Sequence, residues 1–514
     1  MLIRPAHIGG LCALLSLSLL SACSSPSGLD IPASPEQPWK ANSAVWSLQR
    51  NSAASADDAS FSVPSIPQLT NASAELPVSL EQPLDLPQLI DLAQRNNPTT
   101  RLAWNHAREA ALTVGLTDAL FLPVITANVI SGEQRLRVPV ELPLNLGRVD
   151  VDSTVRGTVP FVTLAWLLFD FGEREATREG AQYLALASNV LFNAAHQKLI
   201  RDVTDAYYRY NAARHNVALA AEALEQHEYV LRAVDARFKQ GLATRIDIAL
   251  AEQAVAQGKL NWVTHQGTER TSYLALTDAM GLPASTPLQI AASQAPQLPA
   301  AITPITQQRI DDLIAQRPDI AAAYAAVKAA EAGRRRAEAA FLPKVYMGAG
   351  WASNHSDLQI GGVSANLQNT ASGVMVGISM PLYDGGLRSK QLSKADVSQE
   401  MAQQRLEQLQ LTAAREIIGV EQALQTALQA HDAAQELVRT TRVTYSAALA
   451  AYQVGRASTV LLTETALQLN KAQQVQADAQ YAAIASAANL AFAMGTMVSA
   501  QNSWWPQQHA VQLP

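Results

Sequence analysis

Cysteine is almost absent. The 514 residues hold two, Cys12 and Cys23, both close to the first residue. The rest of the chain therefore carries no disulfide framework. Charge is sparse too. The 38 Lys and Arg against 44 Asp and Glu leave a net charge of −6, with no basic run, which argues against nucleic acid as a partner. No Gly-rich phosphate loop, His-Glu-x-x-His or Gly-x-Ser-x-Gly occurs, so the motifs of phosphate-binding, zinc-dependent and serine-nucleophile enzymes are missing and no catalytic, cofactor or metal residue is assigned. His215 and His227 lie too far apart in a helix to form a metal pair, and His431 reads as a packed or water-facing residue. After Ala22, no stretch reaches about 18 unbroken apolar residues, the length a membrane helix needs.

Proline is missing from two long stretches, Gly172 to Phe238 and Gly386 to Tyr452. In the first, Val203, Tyr210, Val217, Leu224 and Leu231 recur every seventh residue, with Ile200, Tyr207 and Ala221 between them. That heptad predicts a helix packed along its length in a left-handed coil. A helix of this length extends about 100 Å at about 1.5 Å per residue.

The second stretch is a copy of the first. Phe121-Leu122-Pro123 recurs as Phe341-Leu342-Pro343. Asp170, Gly241 and Met280-Gly281 recur as Asp384, Gly455 and Met494-Gly495, all three at one constant offset. The offset of Phe-Leu-Pro is six positions larger, so one loop differs in length between two otherwise matched repeats. A period of about 200 residues marks a duplicated domain. Asp170 and Asp384 read as N-caps where strand turns to helix. Gly241 and Gly455 read as left-handed stops at the far ends of the long helices.

Between the Phe-Leu-Pro and each aspartate the period changes to two. Ile125, Ala127 and Val129 alternate with polar neighbours, and a polar loop follows to about Asp152. Val155, Val159, Phe161, Ala165, Leu167 and Phe169 share the next alternating face, although Val162, Leu164 and Trp166 are apolar too. In the second repeat, Val345, Met347, Ala349 and Trp351 alternate, as do Val374, Val376, Ile378, Met380 and Leu382. This predicts four strands of about 9–13 residues, membrane-strand length. Four strands cannot close a barrel, and open edges are not tolerated in lipid. Several chains must then share one barrel, unless the hairpins merely cap a soluble coiled coil.

Met1 to Ala22 reads as a secretory signal, with Arg4 and His7 before an apolar run from Ile8 to Leu20. Leu20-Ser21-Ala22-Cys23 resembles the bacterial lipobox, which predicts N-palmitoyl and S-diacylglycerol groups on Cys23. Ser24 follows, where Asp would favour retention at the inner membrane. Residues 23–83 read as an extended, Pro- and Ser-rich tether. The first repeat then spans 84–283 with its hairpin at about 123–169. A linker occupies 284–303. The second repeat spans 304–498 with its hairpin at about 343–383, and a tail follows at 499–514.

Two copies of helix, Phe-Leu-Pro, hairpin, Asp-Gly turn, long helix, Gly turn and helix resemble the TolC family of outer-membrane efflux proteins. The lipobox is similar to that of the lipoprotein branch serving resistance-nodulation-division pumps. The resemblance covers about Leu84 to Val498. It implies an α+β membrane protein: a homotrimer whose long helices form an α-helical barrel topped by one shared twelve-stranded β-barrel. It also implies an outer membrane location in a Gram-negative bacterium, a periplasmic adaptor and an inner-membrane transporter as partners, and passive export of drugs or other small solutes. A type I protein-secretion duct and a non-conducting structural lipoprotein stay open beside it. By the same resemblance Tyr452, three before Gly455, and Asp247, six after Gly241, are gate residues. The family's arginine two after the second glycine is Ala457 here, with Arg456 one earlier. Of two acidic rings, Leu461 replaces one and Glu464 keeps the other.

Cys23→Ala is expected to abolish palmitate labelling and signal processing at this site while some assembly survives. Undiminished palmitate incorporation in the variant overturns the assignment.

Overall fold

The computed structural model describes residues 83–141, 148–291, 298–299, 301–360 and 363–497. The signal, Cys23, the tether up to its last residue and the tail lie outside the described residues. The first repeat comprises α1 (Leu86–Asn96), α2 (Pro98–Ala119), β1 (Val124–Glu141), β2 (Arg148–Phe169), α3 (Glu173–Lys239) and α4 (Arg245–Ala279). The second comprises α5 (Gln307–Gln316), α6 (Pro318–Ala339), β3 (Lys344–Ile360), β4 (Val363–Ser379), α7 (Leu387–Gln453) and α8 (Thr459–Ala493). Among the described residues no helix is long and apolar enough to cross a membrane.

Local chemistry sets the boundaries. Asn97 ends α1 and caps α2, its side chain accepting from Thr99 N–H, with Pro98 at the first position of the new helix. Asp85 and Gln88 form a reciprocal capping box on α1. The long helices α3 and α7 each run 67 residues without a break, about 100 Å.

The four strands make one antiparallel sheet in the order β1-β2-β3-β4. The register sorts its faces. Ile125, Ala127 and Val129 lie opposite Leu164, Val162 and Pro160. Leu164, Val162 and Trp166 lie opposite Ala349, Trp351 and Met347. Val345, Met347 and Ala349 lie opposite Ile378, Val376 and Val374. These side chains form one continuous apolar face. On β2 this face is therefore Pro160 to Trp166. The alternating set from Val155 to Leu167 points the other way, among Thr126, Gly350 and Gly373. A register shift between Leu167 and Phe169 then turns Phe169 back to the apolar face beside Val345.

The strands are longer than the period-two signal indicates, at 17 to 22 residues. Beyond Ser131, hairpin pairing continues, while the alternating apolar set shifts by one position, to Leu136, Val138 and Val140 and to Val149 and Val151. Cross-strand ion pairs hold it: Glu133 with Arg156 at 2.7 Å and Arg137 with Asp152 at 2.6 Å. A loop reading based on polarity misses such a ladder.

The helices pack in a row. Toward the strands, α3 lies between α2 and α6, and α6 is followed by α7; toward the turns, α3 lies between α4 and α8, and α8 is followed by α7. So α3 is interior at both ends and α7 is at an edge at both ends. The heptad reading holds on α7, where Ile417, Leu424, His431, Val438 and Tyr452 are buried. On α3 it needs correction. Below Tyr210 the buried line is Asn216, Ala220, Ala223, His227, Val230 and Val234, while Val217, Leu224 and Leu231 are half-buried and Ala221 is exposed. Two partners meet α3 there, so small and polar side chains fill the centre and the larger ones flank it.

A second correction concerns the strand-to-helix caps. Gly172 and Gly386 precede the helices, at φ 95° and 86°. Asp170 and Asp384 stand two residues further back and still reach the first turn, accepting from the N–H of Arg174 at 2.9 Å and of Arg388 at 3.1 Å. Each also pairs with that arginine's Nε, at 2.9 and 2.6 Å. Each guanidinium lies over the phenylalanine of its Phe-Leu-Pro, Phe121 at 4.7 Å and Phe341 at 5.2 Å. Arg174 further donates to the carbonyls of Leu120, Leu167 and Leu168, and the Trp166 indole donates to that of Phe121. Lys344 pairs with Glu173 across the repeats. The sheet is thereby fixed to the helices by charge as well as by chain.

Side-chain exposure is 7% at Asp170 and 24% at Asp384. Asp170→Ala leaves a buried guanidinium uncompensated and is expected to cost about 3–5 kcal/mol. Asp384→Ala should cost less. Thermal midpoints of the detergent-extracted variants by circular dichroism check this; equal midpoints count against the burial argument.

Candidate functional site at the helix turns

Two turns, at matching positions of the two repeats, carry the candidate residues. At the first, Gly241 takes φ 75°, its N–H donating to the Phe238 carbonyl at 2.9 Å, and Leu242 N–H donates back to the Arg237 carbonyl at 2.9 Å. At the second, Gly455 takes φ 76° and donates to the Tyr452 carbonyl at 3.0 Å, while Arg456 N–H donates to the Ala451 carbonyl at 2.8 Å. Both are left-handed C-terminal caps, where a side chain is strained.

The helices leaving the turns are capped unequally. Thr244 and Asp247 make a capping box on α4: the Asp247 carboxylate accepts from Thr244 N–H at 2.8 Å and from its hydroxyl at 2.7 Å. These bonds hold the Asp247 carboxyl below the usual carboxylate range, with Thr459 of the second turn and the charge of Arg237 adding smaller contributions. On α8, Ser458 accepts from Leu461 N–H at 3.2 Å. Leu461 stands where Asp247 would recur, so the reciprocal half of the box is missing there.

Tyr452 is 5% exposed. It packs with Val230 and Val234 of α3, Ala251 of α4 and Leu462 of α8, and so joins the two repeats. Among the described residues its buried hydroxyl has no hydrogen-bond partner. Arg237, near the end of α3, clamps it from the other repeat. Arg237 Nη1 donates to the Tyr452 carbonyl at 2.8 Å, and its guanidinium lies 4.8 Å from the ring centre. Arg456 and Glu464 are exposed. Among the described residues no hydrogen bond or ion pair links Asp247 to Arg456 or to Glu464. The structure thus brings together Tyr452, Asp247 and Arg237, and leaves Arg456 and Glu464 exposed and apart from them.

Glu464 accepts from Gln468 Nε2 at 2.9 Å. Both line a cleft of about 360 Å³ between α3, α4 and α8, with His227, Asn261 and Lys471. His227 is 3% exposed. Gly258 admits it, since a Cβ there would lie 3.0 Å from the ring. Burial pushes the His227 imidazole below its ordinary pKa.

Sequence reading passes over Arg237. Its counterpart one repeat later is Ala451, so the arginine breaks the duplication at a turn where the glycine, the helix ends and the N-cap hydroxyl all recur. That asymmetry is the available signal. Arg174 and Arg388 are missed as well, although they recur at the same spacing as the aspartates they bind.

The family model described as outer membrane efflux protein matches residues 89–282 and 309–496. The chain belongs to that family. It is similar to the toluene efflux pump outer membrane protein TtgC of Pseudomonas putida, with 25% identity over 84% of this chain and 86% of the relative. It is also similar to the outer membrane protein OprJ of Pseudomonas aeruginosa, with 27% identity over 72% of this chain and 75% of the relative. Its fold is that of the MtrE outer membrane channel of Neisseria gonorrhoeae, solved in an open state: the TM-score is 0.65 at 21% identity, over 81% of this chain and 90% of that one.

Proposed function

We propose that three copies of this chain form the outer-membrane exit duct of a tripartite efflux pump. The duct carries out no catalytic step. It conducts drugs or other small solutes passively from a periplasmic adaptor and an inner-membrane transporter across the periplasm and the outer membrane. The observation that carries this reading is the unequal packing of the two long helices. Repeat 1 places Asn216, Ala223 and Val230 of α3 against repeat 2. The matching positions on α7, Ala430, Leu437 and Thr444, are exposed. What α8 supplies to α3 inside the chain, α4 of a neighbouring copy supplies to α7. β4 meets a neighbour's β1 in the same sense, which removes both sheet edges. Three copies of four strands make twelve, an even number within the range of known outer-membrane barrels.

In this assembly Val345, Met347, Val374, Val376 and Ile378 face lipid, and Cys23 adds an acyl anchor. The turns lie about 100 Å from the strands, at the inner mouth. Asp247, Tyr452 and Arg456 hold that mouth closed through polar contacts, and Glu464 contributes three acidic groups that attract cations. An adaptor opens the gate by binding the parted turns more tightly than the closed ones.

Detergent-extracted protein should scatter light as a trimer and form channels in planar bilayers. A folded monomer that conducts, or a trimer that never does, sinks the reading. At the gate, Asp247→Ala and Tyr452→Ala should raise the open probability, and Glu464→Gln should weaken cation preference. Unchanged conductance and selectivity in all three would leave these residues as ordinary helix side chains.

A further inference from the structure

We infer that Arg237 is the latch of the gate: a positioning residue that holds the α7/α8 turn against the α3/α4 turn of the same chain and releases when the mouth opens. This rests on the duct reading. The middle of the seam between the two helical hairpins, where α3 meets α8, is poor in large apolar side chains. Its buried line on α3 includes Asn216, Ala220, Ala223 and His227. Asn216 donates to Asp478 at 2.8 Å, and His227 meets the Asn470 amide at 3.5 Å. Such a seam aligns the hairpins without welding them. At its end, beside the turns, Val230, Val234, Leu462 and Tyr452 form an apolar cluster, and Arg237 stands over its tyrosine.

Three features make Arg237 suited to hold. Its guanidinium meets the Tyr452 carbonyl and ring together, one hydrogen bond and one planar stack that a lysine cannot both supply. It sits where α3 and α7 both end, so its positive charge faces the negative ends of two helix dipoles that would otherwise lie side by side. The approach is close: a Cβ on Gly455 would lie 3.7 Å from Arg237 Nη2. The latch is made once per chain. Ala451 stands at the matching position of the second repeat, so the seam between α7 and a neighbouring copy carries no equivalent.

Arg237→Gln, Arg237→Lys and, as a control, the exposed Arg232→Gln are compared with the unaltered full-length protein by channel recording and by amide exchange at residues 452–458. Arg237→Gln should raise both time-averaged conductance and exchange at the second turn about five- to tenfold, the effect of losing one weak charged contact in each of three copies. Arg237→Lys should fall between, and Arg232→Gln should match the unaltered protein. Exchange and conductance unchanged in Arg237→Gln overturn the latch while the duct stands. If the unaltered protein conducts nothing, the duct reading fails, and the exchange data still judge the contact by themselves. If Arg237→Gln does not assemble, the intermediate response of Arg237→Lys decides, and its absence overturns the proposal.

Discussion

A sheet edge cannot be left unpaired in hydrocarbon, because each exposed N–H and C=O there loses its water without gaining a partner. The four-stranded sheet has two such edges, β1 and β4, and an apolar face that runs across all four strands. The rest of the architecture follows from closing those edges. The same chain that supplies two strands per repeat supplies a helix on each side of them, and the helices inherit the order of the strands. A head-to-tail contact repeated round an axis closes the sheet and the helices together. The exposed flank of α7 is the helical counterpart of the open edge of β4.

Where sheet meets helix, the chain uses one device twice. A phenylalanine before the first strand, an aspartate after the second and an arginine in the first helical turn stack and pair at each junction. In the first repeat the arginine also satisfies three strand-end and helix-end carbonyls. The burial of the two pairs differs because the first junction sits inside the row of helices and the second at its edge. A buried ion pair tolerates little displacement, since separating it leaves charges out of water. The junctions therefore transmit the orientation of the sheet to the full length of α3 and α7.

Much of this is legible in the sequence. The absence of proline and the Asp-Gly and Gly landmarks place α3 and α7 to within a residue or so at each end. What escapes is whatever does not follow apolar periodicity. A heptad describes two helices in contact, so it serves α7, which has one long partner near the turns, and misplaces the seam on α3, which has two. Val162, Leu164 and Trp166 blur the alternation of β2, and only the register against β1 and β3 shows which face is continuous. The ladder beyond Ser131 reads as loop because its alternation shifts by one position, and Glu133, Arg137, Asp152 and Arg156 stand where the apolar set had run. At the turns, Gly241, Gly455 and Tyr452 stand out by duplication or resemblance. Arg237 does neither, and its role depends on a carbonyl that no side-chain pattern reveals.

The distribution of polar burial along the chain has a physical logic. Parting two helices that share leucines exposes apolar area at roughly 25 cal/mol per Å². Parting helices that share hydrogen-bonded amides exchanges those bonds for bonds to water at a net cost of only about 0.5–1.5 kcal/mol each. The sheet end and the junctions are apolar or ion-paired and resist separation. Toward the turns, the α3–α8 seam passes through Asn216 with Asp478 and His227 with Asn470 before it reaches the apolar cluster of Val230, Val234, Tyr452 and Leu462. Under the gated duct proposed above, the weakly bonded middle of that seam would let the two turns part as units, and the arginine that clamps Tyr452 in each chain would set when they do.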